Sequence, residues 1–208
     1  AQRTALFDEL VAMFRTEKFI AYPCTRLTES AMEAMICNGL ACLTGAHLRE
    51  RLARRADAGD ITAEDMERLL DRARARMTEW PEGRAGKIWA VPSPRPLADP
   101  DELGNPLIYW GGEAILSLVH ADRYKLANIG LPCIVVFNVR VDKLVNTPLA
   151  ESMANRLLHL RHGGAEDDVC DLYIAGSIPA LDIRKVVRRG DPAFEEFTSC
   201  SSWDVVLG

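Results

Sequence analysis

The 208-residue sequence lacks the long apolar runs and the charge excess that mark several protein classes. No apolar stretch reaches the roughly 18 residues expected of a membrane-spanning helix, and the N-terminal segment is amphipathic instead of resembling a signal peptide. Lys and Arg number 25 against 30 Asp and Glu, so no overall positive field would hold the protein on nucleic acid or an anionic membrane. The sequence therefore predicts a soluble protein without a membrane partner.

Cysteine pairs with the spacing of metal sites are also absent. None of the six cysteines belongs to a C-x-x-C pair, and several occur within apolar stretches such as LPCIVVF and VCDLYI. Metal-binding cysteines are closely spaced, whereas scattered cysteines in apolar segments are typical of reduced, buried thiols in the cytosol. We therefore expect no metal site and a cytoplasmic location.

Signatures of large enzyme classes are missing as well. The sequence contains no G-x-S-x-G elbow, no G-x-x-x-x-G-K-[ST] loop and no G-x-G-x-x-G turn. The histidines fall within or beside predicted helices, outside any H-E-x-x-H or catalytic-triad arrangement; they are His47, His120, His159 and His162. Serine hydrolases, P-loop NTPases and Rossmann dehydrogenases are thus disfavoured.

Hydrophobic periodicity predicts helices early in the chain and mostly strands later. The predicted helices span residues 5–16, 30–38, two segments of a hairpin at 44–79, one opened by Glu113, and 147–164. The predicted strands span residues 19–24, 87–93, 107–110, 131–141, 169–175 and 183–187. This grouping favours a single α+β domain over residues 1–208, with the Pro-rich segment 92–106 as a lid or substrate loop.

Three segments carry polar and aromatic residues suited to bind a ligand. The first joins a strand to a helix and reads YPCTR, in which Tyr22, Thr25 and Arg26 offer an aromatic ring, a hydroxyl and a guanidinium. Arginine binds carboxylates and phosphates in a bidentate manner, and a strand end holds side chains on a rigid scaffold. The alternative is that Arg26 pairs with an acidic neighbour and that Thr25 is structural.

The second and third segments add a stacking surface and two carboxylates. In YWGGE, Trp110 could stack on a planar ring, the glycines would let a ligand approach the backbone, and Glu113 begins a helix. Asp171 lies in a strand whose alternate residues are apolar, from which it could face a cleft. The alternatives are that Trp110 packs in the core, that Glu113 complements the helix dipole and that Asp171 is a surface charge at a sheet edge.

Basic residues crowd the predicted hairpin 44–79. The arginines in it are Arg49, Arg51, Arg54, Arg55, Arg68, Arg72, Arg74 and Arg76. Acidic residues lie three or four positions from many of them, which is typical of a solvent-exposed helix face. The other interpretation is a local surface at residues 49–76 for a phosphate or for a macromolecular partner, either protein or nucleic acid.

The order of these segments resembles that of ADP-ribosyltransferase-like proteins, especially the DNA-modifying ADP-ribosyltransferase toxins and the RNA 2′-phosphotransferases. YPCTRLTESAMEAMICNGL is similar to their first strand, of the type Y-H-x-T, and to the helix ending in G-L that follows it. DLYIAGSIPALDIRKV is similar to their acidic strand, Ile-Pro turn and closing strand. The pairing of CTRLTE with WGGEA resembles uncharacterised bacterial proteins. The likeness covers about residues 19–40 and 131–190.

The resemblance implies an ADP-ribosyltransferase-like split sheet with the hairpin 44–79 as an insertion. It also implies an enzyme that cleaves NAD and transfers ADP-ribose to a macromolecule, as a bacterial toxin, effector or antiphage factor would. The implied NAD-binding residues are Tyr22, Thr25, Arg26 and Trp110, and the implied catalytic residues are Asp171 and Glu113.

Two positions depart from that family pattern. Pro23 stands where the family has a histidine, and a proline side chain forms no hydrogen bond. Asp171 is one methylene shorter than the usual glutamate, which matters where a carboxylate must be placed closely. Two alternative hypotheses therefore remain: a non-catalytic nucleotide- or protein-binding module on the same fold, and a component of a toxin or antiphage complex that acts through the Arg-rich hairpin.

Overall fold

A computed structural model describes residues 2–79, 85–99, 106–111, 123–145 and 171–198. The helices within these ranges are α1 (Gln2–Thr16), α2 (Glu29–Asn38), α3 (Gly45–Asp57), α4 (Ala63–Glu79), α5 (Arg123–Ala127) and α6 (Pro192–Thr198). The strands are β1 (Lys18–Ala21), β2 (Cys24–Leu27), β3 (Lys87–Ala90), β4 (Leu131–Arg140), β5 (Leu172–Ala175) and β6 (Ile183–Arg188). The chain thus combines helices with small antiparallel sheets, as the mixed α and β prediction required.

Strand β4 is the centre of the larger sheet. Its ten residues are almost continuously apolar and buried, which is expected of a strand covered on both faces. Strands β1 and β2 pair with successive parts of one edge of β4, and β6 pairs with its other edge, all antiparallel. The predicted strand 19–24 therefore does not end in a free tip, because pairing resumes at Cys24 and continues to Leu27.

The interruption between β1 and β2 joins the two sheets. Pro23 has no N–H to donate, and its carbonyl accepts a hydrogen bond of 3.0 Å from the Val135 N–H. The backbone of Tyr22 pairs instead with Val91, the residue after β3. Strand β3 in turn forms a two-stranded antiparallel sheet with β5. The first strand is therefore shared, at Tyr22, between the larger sheet and the smaller one.

The hairpin 44–79 folds as two helices, as predicted. Thr62 and Asp65 form a reciprocal cap in which each side chain accepts a hydrogen bond from the other residue's N–H, at 3.0 and 3.1 Å. Leu48 and Leu52 of α3 are fully buried, in a cluster with Trp110 and residues of α4 and α5. The hairpin consequently has its own apolar core, to which the segment around Trp110 contributes.

Several predicted elements differ from the structure. The segment 107–110 is not a strand: residues 106–108 are helical and a turn follows at 109–111, because Pro106 favours a helix start. Helix α2 begins one residue before the predicted start at 30, and its N-cap is Thr28. Of the predicted lid, residues 92–99 are described, and Pro96 and Leu97 in a 3₁₀ turn anchor them to the core.

Two predicted helices cannot be compared with the structure. The predicted helices from Glu113 and at 147–164 lie outside the described residues. Among the helices that the structure describes, none is long and apolar enough to span a membrane.

Candidate functional site

A cavity of about 470 Å³ lies among residues 22–23, β2, α2, α3 and β3. Four residues that the sequence singled out on separate segments line it: Tyr22, Thr25, Trp110 and Asp171. Cavities of a few hundred cubic ångströms are the usual size of small-molecule sites. We refer to this cavity as the cleft, to its side formed by residues 22–25 and β3 as the sheet wall, and to its side formed by α3 as the helix wall.

The sheet wall is polar but uncharged over residues 22–25. The Tyr22 ring packs edge-on against Phe197 of α6, with 5.7 Å between ring centroids, so its position is fixed from behind. Burial raises the pKa of the Cys24 thiol to about 12, which keeps it protonated and unreactive as a nucleophile. The Tyr22 side chain packs with the cluster beside α6, so the Thr25 hydroxyl, 3.5 Å from the Arg26 carbonyl, is the hydrogen-bonding side-chain group of this stretch best placed for a ligand.

An aromatic residue that the sequence did not mark as a site also lies on this wall. Trp89 of β3 lines the cleft and stacks on Tyr173 of β5, with ring centroids 4.3 Å apart and planes inclined by 33°. The two rings occupy directly paired positions of the small sheet. A tryptophan supported in this way offers a rigid surface against which a planar ligand ring could pack.

The helix wall carries a row of basic side chains. His47, Arg51, Arg54 and Arg55 all line the cleft. Arg51 lies four residues after His47, and Arg54 and Arg55 lie three and four residues after Arg51, which places them on one face of α3. Lys87 of β3 lines the cleft as well. These basic residues recur at helical spacing in the sequence. The other arginines of the hairpin obscured this pattern.

Arg51 differs from the other arginines of the row. Its guanidinium lies over the Trp110 ring, 4.8 Å from the centroid, and no carboxylate within the described residues pairs with it. Burial, together with the positive charges of Arg55 and Arg54, lowers its pKa to about 10, so it remains charged at neutral pH. The cleft thus contains a cation whose charge the described part of the protein leaves without a counter-ion.

The neighbouring arginines are held by acidic residues of the hairpin. Arg54 pairs with Glu50 one helical turn away, and Arg55 pairs with Asp60 at 3.0 Å. Outside the cleft, Arg49 pairs with Glu67 at 3.5 Å. These pairs agree with the interpretation of the hairpin as a solvent-exposed, salt-bridged surface, whereas Arg51 has no such pair among the described residues.

His47 has one ring nitrogen fixed by the backbone. Its Nδ1 lies 3.2 Å from the carbonyl oxygen of Cys42, and a carbonyl can only accept a hydrogen bond. The proton therefore belongs on Nδ1, and in the neutral ring Nε2 is left as an acceptor. Within the described ranges, no cluster of three or more metal-ligating side chains is present that could make this histidine part of a metal site.

Arg26, the guanidinium that the sequence favoured, does not line the cleft. It is 8% exposed and donates hydrogen bonds to three backbone carbonyls: those of Leu107 at 3.2 Å, Ile129 at 3.0 Å and Gly130 at 2.6 Å. Burial lowers its pKa. All three nitrogens of the guanidinium are thus used to join β2 to two loops, and the structure gives Arg26 a role in the fold.

The remaining predicted site residues have different surroundings. Trp110 is 3% exposed and belongs to the hairpin core, so the face that it offers is already covered by Arg51. Asp171 is exposed and lies immediately before β5, at the rim of the cleft. Glu113 lies outside the described residues.

No protein-family model, no curated protein and no solved structure matches this chain. The geometry of the cleft and the sequence motifs are therefore the whole basis for assigning a function.

Proposed function

We propose that this protein binds NAD in the cleft and transfers ADP-ribose to a macromolecule, on an ADP-ribosyltransferase-like split sheet. One observation carries the proposal: Tyr22, Thr25, Trp110 and Asp171, which occur on three segments far apart in the sequence, line a single cavity. The shared strand at Tyr22, where one sheet gives way to the other, supports the split-sheet part of the proposal.

The chemical groups of the cleft fit the parts of NAD. A supported aromatic face at Trp89 suits a planar ring. The guanidinium of Arg51 suits a pyrophosphate, and the Thr25 hydroxyl and the Asp171 carboxylate suit the hydroxyls of a ribose. Each class of group that such a dinucleotide requires is therefore present in one cavity.

Asp171 is the residue that would support the chemistry. Bound NAD supplies a glycosidic bond from ribose to nicotinamide, whose cleavage sends the bonding electrons to nicotinamide and leaves positive charge on the ribose. A carboxylate fixed beside that ribose stabilises the developing charge, and fixed charges of this kind are among the largest contributions to catalysis. Asp171 at the rim is also accessible to a macromolecular acceptor, because its side chain is exposed.

Pro23 determines which groups could hold the nicotinamide amide. Its ring has no hydrogen-bonding atom, and its carbonyl already accepts from the Val135 N–H. Thr25, two positions later, lines the cleft, and its hydroxyl is the side-chain group of this stretch that would take this role. Pro23 stands where the resembled family has a histidine, and this difference favours the second candidate function, a nucleotide-binding module without turnover.

The test is release of nicotinamide from NAD by the wild-type protein and by two variants, Asp171→Asn and Asp57→Asn. We expect release by the wild type and a loss of about 100-fold or more in Asp171→Asn, the effect typical of removing a transition-state electrostatic contact. Asp57→Asn is the matched control, since Asp57 is exposed at the end of α3 and does not line the cleft; it should retain full activity.

Two results would separate the candidate functions. Absence of nicotinamide release by the wild type at high enzyme concentration contradicts the catalytic proposal, and tight binding of ADP-ribose in the same experiment supports the binding module. Activity that survives in Asp171→Asn but is lost in Glu113→Gln would assign the catalytic carboxylate to Glu113.

A further inference from the structure

We propose that the row Arg51, Arg54 and Arg55 on α3 is a diphosphate subsite, and that the ligand of the cleft is a small nucleotide carrying two adjacent phosphates. The inference rests on the proposed function in that it concerns the same cleft, but it requires binding only and not turnover. It assigns the phosphate contact to α3, whereas the sequence had suggested Arg26 of β2.

The first argument is the spacing of the row. On a helix, residues three and four positions apart have Cβ atoms about 5–6 Å from each other. The guanidinium of Arg51 and those of Arg54 and Arg55, one turn later, can therefore reach two neighbouring phosphates from the same side. Each guanidinium presents paired N–H groups that match two phosphate oxygens.

The second argument is the unbalanced charge of Arg51. Its guanidinium is oriented by the Trp110 ring, which itself is fixed in the hairpin core. Glu50 and Asp60 pair with the neighbouring Arg54 and Arg55, whereas no carboxylate of the described residues pairs with Arg51 itself. A phosphate bound here would supply the missing negative charge at a site whose cationic side chain is already in place, so little ordering would be needed on binding.

The third argument concerns the size of the ligand. The formal net charge is −5, which opposes the approach of a long polyanion such as a nucleic acid strand. The arginines of the row instead line a concave cavity of about 470 Å³ that suits a small molecule. A mononucleotide or dinucleotide diphosphate meets both conditions.

The inference is tested by titration calorimetry with three probes: ADP-ribose, inorganic pyrophosphate, and nicotinamide riboside, which has no phosphate. We expect ADP-ribose to bind the wild type and pyrophosphate to compete with it. Arg51→Gln should weaken ADP-ribose binding by about tenfold or more, since hydrogen bonds to charged groups are worth roughly that much or more. Nicotinamide riboside should bind the variant and the wild type equally.

Two further variants guard against a folding artefact. Arg49→Gln, two positions away on the same helix and outside the cleft lining, is the matched control and should bind ADP-ribose within about twofold of the wild type. Arg54→Gln removes an exposed cleft charge without touching the core, so thermal unfolding should be unchanged while the affinity for ADP-ribose falls.

The outcomes are decisive in either direction. Equal ADP-ribose affinity in Arg51→Gln and Arg49→Gln, failure of pyrophosphate to compete, or an oligonucleotide that binds through Arg51 more tightly than ADP-ribose overturns the inference. Arg51-dependent binding of ADP-ribose without nicotinamide release supports the subsite and contradicts the catalytic proposal. Nicotinamide release with an unchanged KM for NAD in Arg51→Gln supports the catalytic proposal and contradicts the subsite.

Discussion

Arg26 in β2 and Arg51 in α3 are both largely shielded from solvent, but their charged groups have different partners. Burial lowers the pKa of both. Arg26 donates to three backbone carbonyls, whereas Arg51 lies on an aromatic ring beside two further arginines and facing a cavity. A buried cation whose donors are satisfied supports the fold, and one whose charge is left unbalanced beside a cavity indicates a missing anion.

The same contrast separates the two walls of the cleft. Along residues 22–25, the sheet wall carries the Thr25 hydroxyl and no charged group, on a segment that β2 anchors to β4. The helix wall offers positive charge on a hairpin with its own core. We infer that the sheet wall recognises the shape and hydrogen-bonding pattern of a ligand and that the helix wall recognises its charge. The predictions below test this division.

The largest effect is expected at Arg26. Replacing it by Met keeps most of the side-chain volume but leaves the carbonyls of Leu107, Ile129 and Gly130 without their donor. We predict that Arg26→Met lowers the free energy of unfolding by roughly 3–5 kcal/mol, measured by urea denaturation. A loss below about 1 kcal/mol would show that the three hydrogen bonds contribute little and that Arg26 is not the structural member of the comparison.

An intermediate effect is expected at Asp65, which anchors the hairpin. Its carboxylate accepts hydrogen bonds from Lys125 at 2.9 Å, Arg68 at 2.6 Å and the Thr62 N–H at 3.1 Å. The hydrogen bond from Lys125 is the main reason that the pKa of Asp65 lies well below its usual value. A carboxyl with a lowered pKa stabilises the folded state above its unfolded pKa of about 3.9, and this stabilisation is lost as the pH falls below that value.

The measurement compares Asp65→Asn with the wild type as a function of pH. We predict that the variant is less stable by about 2 kcal/mol at pH 7 and that this difference shrinks steadily below about pH 4, because the Asp65 carboxyl of the unfolded chain becomes protonated there while that of the folded protein does so only at lower pH. Other carboxylates titrate in both proteins and cancel in the difference. A difference that stays constant from pH 7 to pH 2 would mean that the charge of Asp65 does not stabilise the hairpin.

The smallest effect is expected at Arg49. Its partner Glu67 and Arg49 itself are about half exposed, and exposed ion pairs contribute little because solvent screens them. We predict that Arg49→Gln changes the free energy of unfolding by less than about 0.5 kcal/mol in thermal or urea denaturation. A change above about 1.5 kcal/mol would show that Arg49, like Arg26, stabilises the fold, and Arg49→Gln would then no longer serve as a neutral control.

Local signals in the sequence predicted the local structure well. The Thr62 cap of α4 and the end of α2 at Asn38-Gly39 are set by side chains and backbone within a few positions. Gly39 has φ of 88°, its N–H donates to Met35, and a Cβ there would clash with the Ile178 carbonyl. A helix that stops at such a residue is predictable because only glycine adopts this conformation readily at so close an approach.

Tertiary partners are what the sequence could not reveal. The acceptors of Arg26 are backbone carbonyls about 80 to 100 positions away, and backbone atoms carry no sequence signature. The hairpin contains many arginines, and the sequence does not show which of them share the face of α3 that borders the cleft with Arg51. The burial of Leu48 and Leu52 fixes the orientation of α3 and so identifies that face. The resemblance implied that Arg26 and Glu113 share one site with Tyr22, Thr25, Trp110 and Asp171. The last four line the cleft, Arg26 does not, and Glu113 lies outside the described residues.

The central claim, that the cleft is a nucleotide site with its phosphates on α3, is tested most directly by a crystal structure with ADP-ribose. The account predicts phosphate oxygens within hydrogen-bond distance, about 2.7–3.2 Å, of the Arg51 guanidinium, with the rest of the ligand between Trp89 and residues 22–25. ADP-ribose bound elsewhere on the surface, or bound in the cleft with its phosphates away from α3, would contradict it.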